Sequence, residues 1–207
     1  MANINRPNSL SPIGNFQGGS WNQQGRLYCI PSTDSTNTYA IGDIVKTAGS
    51  ADANGVPMVA KATATDVPLG IVVGIRVADP SVSLVGTTLD LANNTVPKAK
   101  SRNYYVYVVD DPMVLFEVQF DSTAIALTNL HMNAALTITA DQSATLSPSA
   151  PFSSVVVTSP ATTNTLPIRL LGLVQRPDNG TGAYARVVAK FNFHEFGVGT
   201  ASNFTAA

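Results

Sequence analysis

Short alternating and β-branched runs, punctuated by turn residues, dominate the chain from Tyr39 onward. In Val114 to Phe120, Phe116, Val118 and Phe120 fall on one face, and Leu115, Glu117 and Gln119 on the other. A period of two marks a strand, because successive side chains point to opposite faces. The stretch "AYARVVAKFNF" repeats the pattern. Ala185, Val187, Ala189, Phe191 and Phe193 share a core face, and Tyr184, Arg186, Val188, Lys190 and Asn192 share the other. Tyr104 to Val109 is apolar on both faces and reads as a strand buried centrally or at an interface.

Further strands are expected in "YAIGDIVK", "VPMVAKAT", "VPLGIVVGIRV", "SVSLVGTTLDL", "AALTITADQSATLSP", "FSSVVVTSP" and "LPIRLLGLVQR". Gly70 and Gly74 mark a bulge or sharp coiling within the third of these. Asp178–Asn179–Gly180 predicts a tight hairpin turn before the last strand, since Asn-Gly tolerates positive φ. Only residues 121 to 136, "DSTAIALTNLHMNAAL", suggest a short helix capped by Asp121 or Ser122, and their Thr and Asn content works against it. No internal repeat of fixed period is present. The expected fold is mainly β, a barrel or sandwich-like domain with few or no helices and an extended N-terminal arm.

That arm is residues 1 to 26, rich in Asn, Gln, Gly, Ser and Pro, with isolated apolar anchors at Ile4, Leu10, Ile13, Phe16 and Trp21. It has neither a helical nor a strand period. Such a segment suits the grooves of another subunit better than a core of its own. Residues 27 to 207 form the β-rich domain, with 122 to 168 a candidate insertion or second subdomain.

Composition narrows the function. Charged residues are 12% of the 207 and the net charge is −1, against a typical charged content of ~25%. Nucleic acid is a poor fit for a direct partner, because phosphate binding needs clustered Lys and Arg. A polar but weakly charged surface suits close packing beside copies of itself or a partner. Cys29 is the only cysteine, so neither an intrachain disulfide nor a metal-thiolate site is expected. The N-terminal stretch lacks the apolar core of a signal peptide, and no window approaches a membrane span. Synthesis in the cytoplasm is expected.

The most conspicuous candidate chemistry is Asp110–Asp111, before Pro112. A catalytic carboxylate pair needs one member desolvated to raise its pKa. Asp before Pro instead fits a solvated turn, in which the carboxylate caps backbone N–H groups. His131 and His194 stand apart from any HxxxH or HExxH spacing, and no P-loop, GxSxG or strand-linked GxGxxG is present. "SADANGVP", 50 to 57, lacks the ligand register of a calcium loop. The sequons at Asn93, Asn179 and Asn203 match the chain's Asn and Thr content. Arg176, Asp178, Arg186 and His194 are expected to cluster at one end of the last hairpin. No catalytic residue, cofactor or metal is expected.

Three segments carry a resemblance to the capsid cement, or head decoration, proteins of tailed bacteriophages. They are "GDIVKTAGSADANGVPMVAKATATDVPLGIVVG" (42 to 74), "YYVYVVDDPMVLFEVQFD" (104 to 121) and "LLGLVQRPDNGTGAYARVVAKFNFHEF" (170 to 196). Residues 122 to 168 fall outside it. The resemblance implies a β-rich protein on the outer surface of an icosahedral virion. There it would bind the major capsid protein and bridge capsomers as a homotrimer or homodimer, with no membrane involved. The arm residues Ile4, Leu10, Ile13, Phe16 and Trp21, with Tyr105 and Tyr107, are the candidate contacts. A tail or head-fibre component is the alternative, with the Ser/Thr-rich region as an exposed knob. A carbohydrate-binding or hydrolytic β-domain is the third reading. It would want clustered exposed aromatics or opposed carboxylates, and the sequence offers one Trp.

Overall fold

A computed structural model describes residues 3–22, 24–76, 94–143, 146 and 152–197. The expected strand at "SVSLVGTTLDL" lies outside the described residues, as do Asn93 and Asn203. The fold is mainly β, as the periodicity predicts. Its strands, among the described residues, are β1 (Ser11–Asn15), β2 (Arg26–Ile30), β3 (Tyr39–Ala40), β4 (Ile44–Ala51), β5 (Pro57–Lys61), β6 (Gly70–Ile75) and β7 (Thr95–Val96). They continue with β8 (Tyr104–Val109), β9 (Val114–Gln119), β10 (Asn133–Thr137), β11 (Val156–Ala161), β12 (Ile168–Leu173) and β13 (Arg186–Phe191).

The strands build two lobes. A closed barrel runs β2-β5-β4-β6-β8, and a six-stranded sheet runs β1-β9-β13-β12-β10-β11. A bridge between Phe120 and Val157 draws the far edge of that sheet toward the end of β9, so the second lobe curls on itself. Tyr28, Val45, Val59, Val72, Val106 and Val108 are among the residues filling the barrel. Phe116, Val118, Phe120, Leu170, Val187, Ala189 and Phe191 are central to the other core, which also takes Ile44, Ile71 and Val109 from the barrel strands. Residues 122 to 168 contribute β10 and β11 to the sheet, and Leu136 and Val157 to this second core.

Several strands depart from their sequence reading for local reasons. "YAIGDIVK" splits into β3 and β4 at Gly42, whose φ is +94°. A Cβ there would lie 2.6 Å from the Cβ of Ser9, so only glycine lets the arm pass. The bulge expected near Gly74 is present, since the β6–β8 register shifts between Val72 and Gly74. Gly70 permits a still closer approach, because its Cβ would fall 2.0 Å from the Val109 carbonyl oxygen.

The helix suggested over 121 to 136 is reduced to a 3-10 turn at Leu127–Asn129, followed by β10. His131 takes φ +65°, which ends any helical path. Asn129 also spends its side chain on the backbone N–H of Ala126. Asn179 does not sit in a two-residue hairpin turn. Instead, its amide donates to the carbonyls of Val174 and Arg186 (both 2.8 Å) and accepts the N–H of Arg186 at 2.7 Å, clamping a longer loop.

Candidate functional site

The arm, expected to reach for another subunit, lies on its own chain. Alternation in Ser11–Asn15 is too short to announce a strand, yet β1 pairs antiparallel with β9, aligning Ser11 with Glu117 and Asn15 with Val114. Before it, the Asn3 amide donates to the carbonyls of Gly180 and Ala183 (3.0 and 2.9 Å), and the Arg6 N–H donates to Gln119 Oε1 at 2.7 Å. Leu10 is 1% exposed and belongs to the sheet core, so it is no surface contact in this chain. Ile4, Ile13 and Phe16 remain exposed, at 76%, 43% and 57%. The Lys190 ammonium sits 5.7 Å from the centre of the Phe16 ring, an arrangement that steadies the ring on the sheet's outer face.

Trp21 is half-buried and separates two grooves. One, of about 280 Å³, is lined by Leu10, Pro12, Ile41, Val73 and Phe152 among others. Phe152 is a large exposed hydrophobic that the sequence reading missed, because it stands alone in a Ser/Pro context. The second groove, of about 470 Å³, carries Asn22, Gln24, Arg26, Asp110 and Asp111.

Tyr105 and Tyr107 are partly exposed on the outside of the barrel, while Val106 and Val108 point into it. The Tyr105 hydroxyl donates to Asp52 Oδ2 at 2.7 Å, and burial and that carboxylate push the phenol up to about 12. Asp52 thereby closes the "SADANGVP" turn, and its Oδ1 accepts the N–H groups of Asn54 and Val56. Buried Cys29 has its thiol pushed up to about 11 by desolvation, which suppresses thiolate chemistry.

The Asp110–Asp111 pair is partly a turn. Asp111 Oδ1 accepts the N–H of Met113 at 2.8 Å, as expected of a cap. The turn, however, is a corner between lobes, since β8 lies in the barrel and β9 in the sheet. Asp110 is not solvated in the way a turn tip would be. Its side chain is 10% exposed, accepts the Tyr28 hydroxyl at 2.8 Å and lies 3.4 Å from Arg26 Nε. Beneath the corner sits His194, pushed down to about 4, first by burial.

His194 therefore does not join the polar cluster expected at the end of the last hairpin. Glu117 takes that place, meeting Arg176 at 2.9 Å and Arg186 at 3.6 Å, with Asp178 3.8 Å from Arg176. A buried ion pair also escaped the sequence reading, because its members are dispersed. Buried Asp43 accepts Lys61 Nζ (2.9 Å), Gln142 Nε2 (2.8 Å), the Ser153 hydroxyl (2.5 Å) and the Ala40 N–H (2.8 Å). Lys61 also donates to the Thr38 carbonyl at 2.8 Å. Barrel and sheet loops meet at this carboxylate. It is a structural tie, because both carboxylate oxygens are occupied by donors of the same chain.

Among the described residues, no group of three or more His, Cys, Asp or Glu side chains has the geometry to hold a metal, and no helix is long and apolar enough to cross a membrane. Comparison with models of protein families, with curated proteins and with solved structures returned no match.

Proposed function

We propose that this chain is a structural virion protein that binds the outside of an icosahedral phage capsid and stabilises it by bridging capsomers. The observation that carries this reading is the placement of the three resembling segments. Residues 42 to 74 supply β4, β5 and most of β6, residues 104 to 121 supply β8 and β9, and residues 170 to 196 supply most of β12 and all of β13. The resemblance thus covers four of five barrel strands and the centre of the sheet, which is the framework on which the arm rests.

A binder that touches only the assembled shell stabilises it by mass action. Several contacts per homotrimer or homodimer raise avidity without any one being strong. The exposed arm residues Ile4, Ile13 and Phe16 are the side chains that would meet the major capsid protein.

Quantitative mass spectrometry of purified virions tests the proposal. A copy ratio to the major capsid protein near one to one, or a simple fraction such as one third, is expected. A few copies per virion would move the chain to the tail or a vertex, and absence would end the structural reading.

A further inference from the structure

The polar groove beside Trp21 does not belong to the contact surface above, and its chemistry is specific. We infer that it is a saccharide-binding site, formed by Trp21, Asn22, Gln24, Arg26, Asp110 and Asp111. The sequence alone gave no sign of it, because the tryptophan and the carboxylates come from distant segments. The fold brings them together where the arm crosses the corner between the lobes.

A sugar ring presents a patch of C–H groups on one face and hydroxyls around its rim. An indole is the preferred platform for the first, since it offers a large apolar face at little conformational cost. Carboxylates are strong acceptors for the second, and amides serve as both donors and acceptors. Small-molecule sites combine an apolar wall with a few polar groups already fixed in place.

Both carboxylates here are fixed. The Tyr28 hydroxyl and Arg26 hold Asp110 through Oδ2. Asp111 is held on both oxygens, by the Met113 N–H and, at 3.2 Å, by the Asn15 amide. Asn22 and Gln24 are bonded to each other, side chain to side chain at 3.1 Å and backbone N–H to Oδ1 at 3.2 Å, so the amide wall is ordered too. The Tyr28 phenol is raised by burial and then by Asp110, which keeps it a donor to that carboxylate. The groove's volume, about 470 Å³, admits more than one sugar ring.

Trp21 is the only tryptophan in the chain, so its fluorescence reports on the indole that this groove shares with the apolar groove behind it, and the variants below tell the two apart. The full chain would be titrated with maltohexaose, cellohexaose and chitohexaose, and separately with calcium chloride. A saturable shift or quench with at least one oligosaccharide is expected. Asp111→Ala should weaken that binding about tenfold or more, with the fold retained and the melting temperature lower by only a few degrees for the lost cap on Met113. Trp21→Ala, read by calorimetry, should abolish it, and Phe152→Ala, on the other side of the indole, should leave it intact. No saturable response to any of the three sugars up to ~10 mM would overturn the assignment. So would undiminished binding by Asp111→Ala, or a response to calcium alone.

Discussion

Lowering the pH from neutral to about 4 should weaken this fold through one residue, His194. The ring is 4% exposed and lies between Phe191 and Phe196, with ring centres 6.4 and 6.2 Å away. Its Nδ1 accepts the N–H of Phe196 at 3.0 Å, so protonating that nitrogen would break the bond. Burial is the leading cause that pushes the imidazole from 6.5 down to about 4. Lys190 adds to the depression, while Asp110 and Asp111 oppose it.

A depressed histidine binds its proton more readily in the unfolded chain. Stability from this residue is therefore fully present above pH 6.5 and lost as the pH falls toward 4. The gap corresponds to about 3 kcal/mol, at ~1.4 kcal/mol per pH unit. Carboxylates enter only at the acid end of this window. Burial raises Asp34, Asp52, Asp66 and Asp121, but their hydrogen bonds together lower them further, below the ordinary 3.8, so their contributions begin to fade below about pH 5 and are common to wild type and variant.

Urea denaturation at several pH values between about 7.5 and 4 measures the effect. The wild type should lose about 3 kcal/mol more than His194→Gln across that range. Equal slopes in the two proteins would refute the reasoning. The weakened place would be the tie between lobes, because the neighbouring Glu195 accepts the Thr47 N–H at 2.8 Å and donates its own N–H to the Pro68 carbonyl at 3.0 Å.

Four other outcomes are expected. Lys61→Met, which leaves the Asp43 carboxylate buried without its cation, should cost about 3–5 kcal/mol by chemical denaturation. Gly70→Ala should cost more than about 2 kcal/mol or abolish folding, seen as lost soluble expression, since its Cβ would collide with backbone at Val109. Asp111→Asn should change stability by about 1 kcal/mol or less, because an amide oxygen can still cap Met113. Deleting residues 1 to 20 should lower stability by more than about 3 kcal/mol, through lost burial of Leu10 and loss of β1, as a thermal melt would show.

What was legible in the sequence follows the range of the interactions. The faces of β9 and β13 were readable because alternation is local, and the structure buries Phe116, Val118, Val187 and Ala189 as that pattern requires. The bulge near Gly74 was readable for the same reason. Strand β1 was not, because its pairing is specified by β9, far along the chain. Nor was the path of the stretch before β10, where a positive φ at His131 ends the helix that Asp121 or Ser122 was expected to cap. The Asp43 network and the Trp21 groove were invisible for a related reason. Each gathers side chains from segments that neither period nor motif links.

The position of the arm changes how any attachment would have to work. An arm free to search for a neighbour would lose conformational entropy on binding, about 1–2 kcal/mol per ordered residue. Here β1, Leu10 and the Asn3 and Arg6 hydrogen bonds have already ordered it during folding. Ile4, Ile13 and Phe16 are therefore presented on a formed surface, and binding through them would cost little further order. The same ordering carries Trp21 to the corner at Asp110 and Asp111, so one folding event builds both the proposed shell-facing surface and the proposed saccharide groove. Substitutions at Ile13 or Phe16 should then affect attachment and leave the groove alone, whereas losing the whole arm removes both.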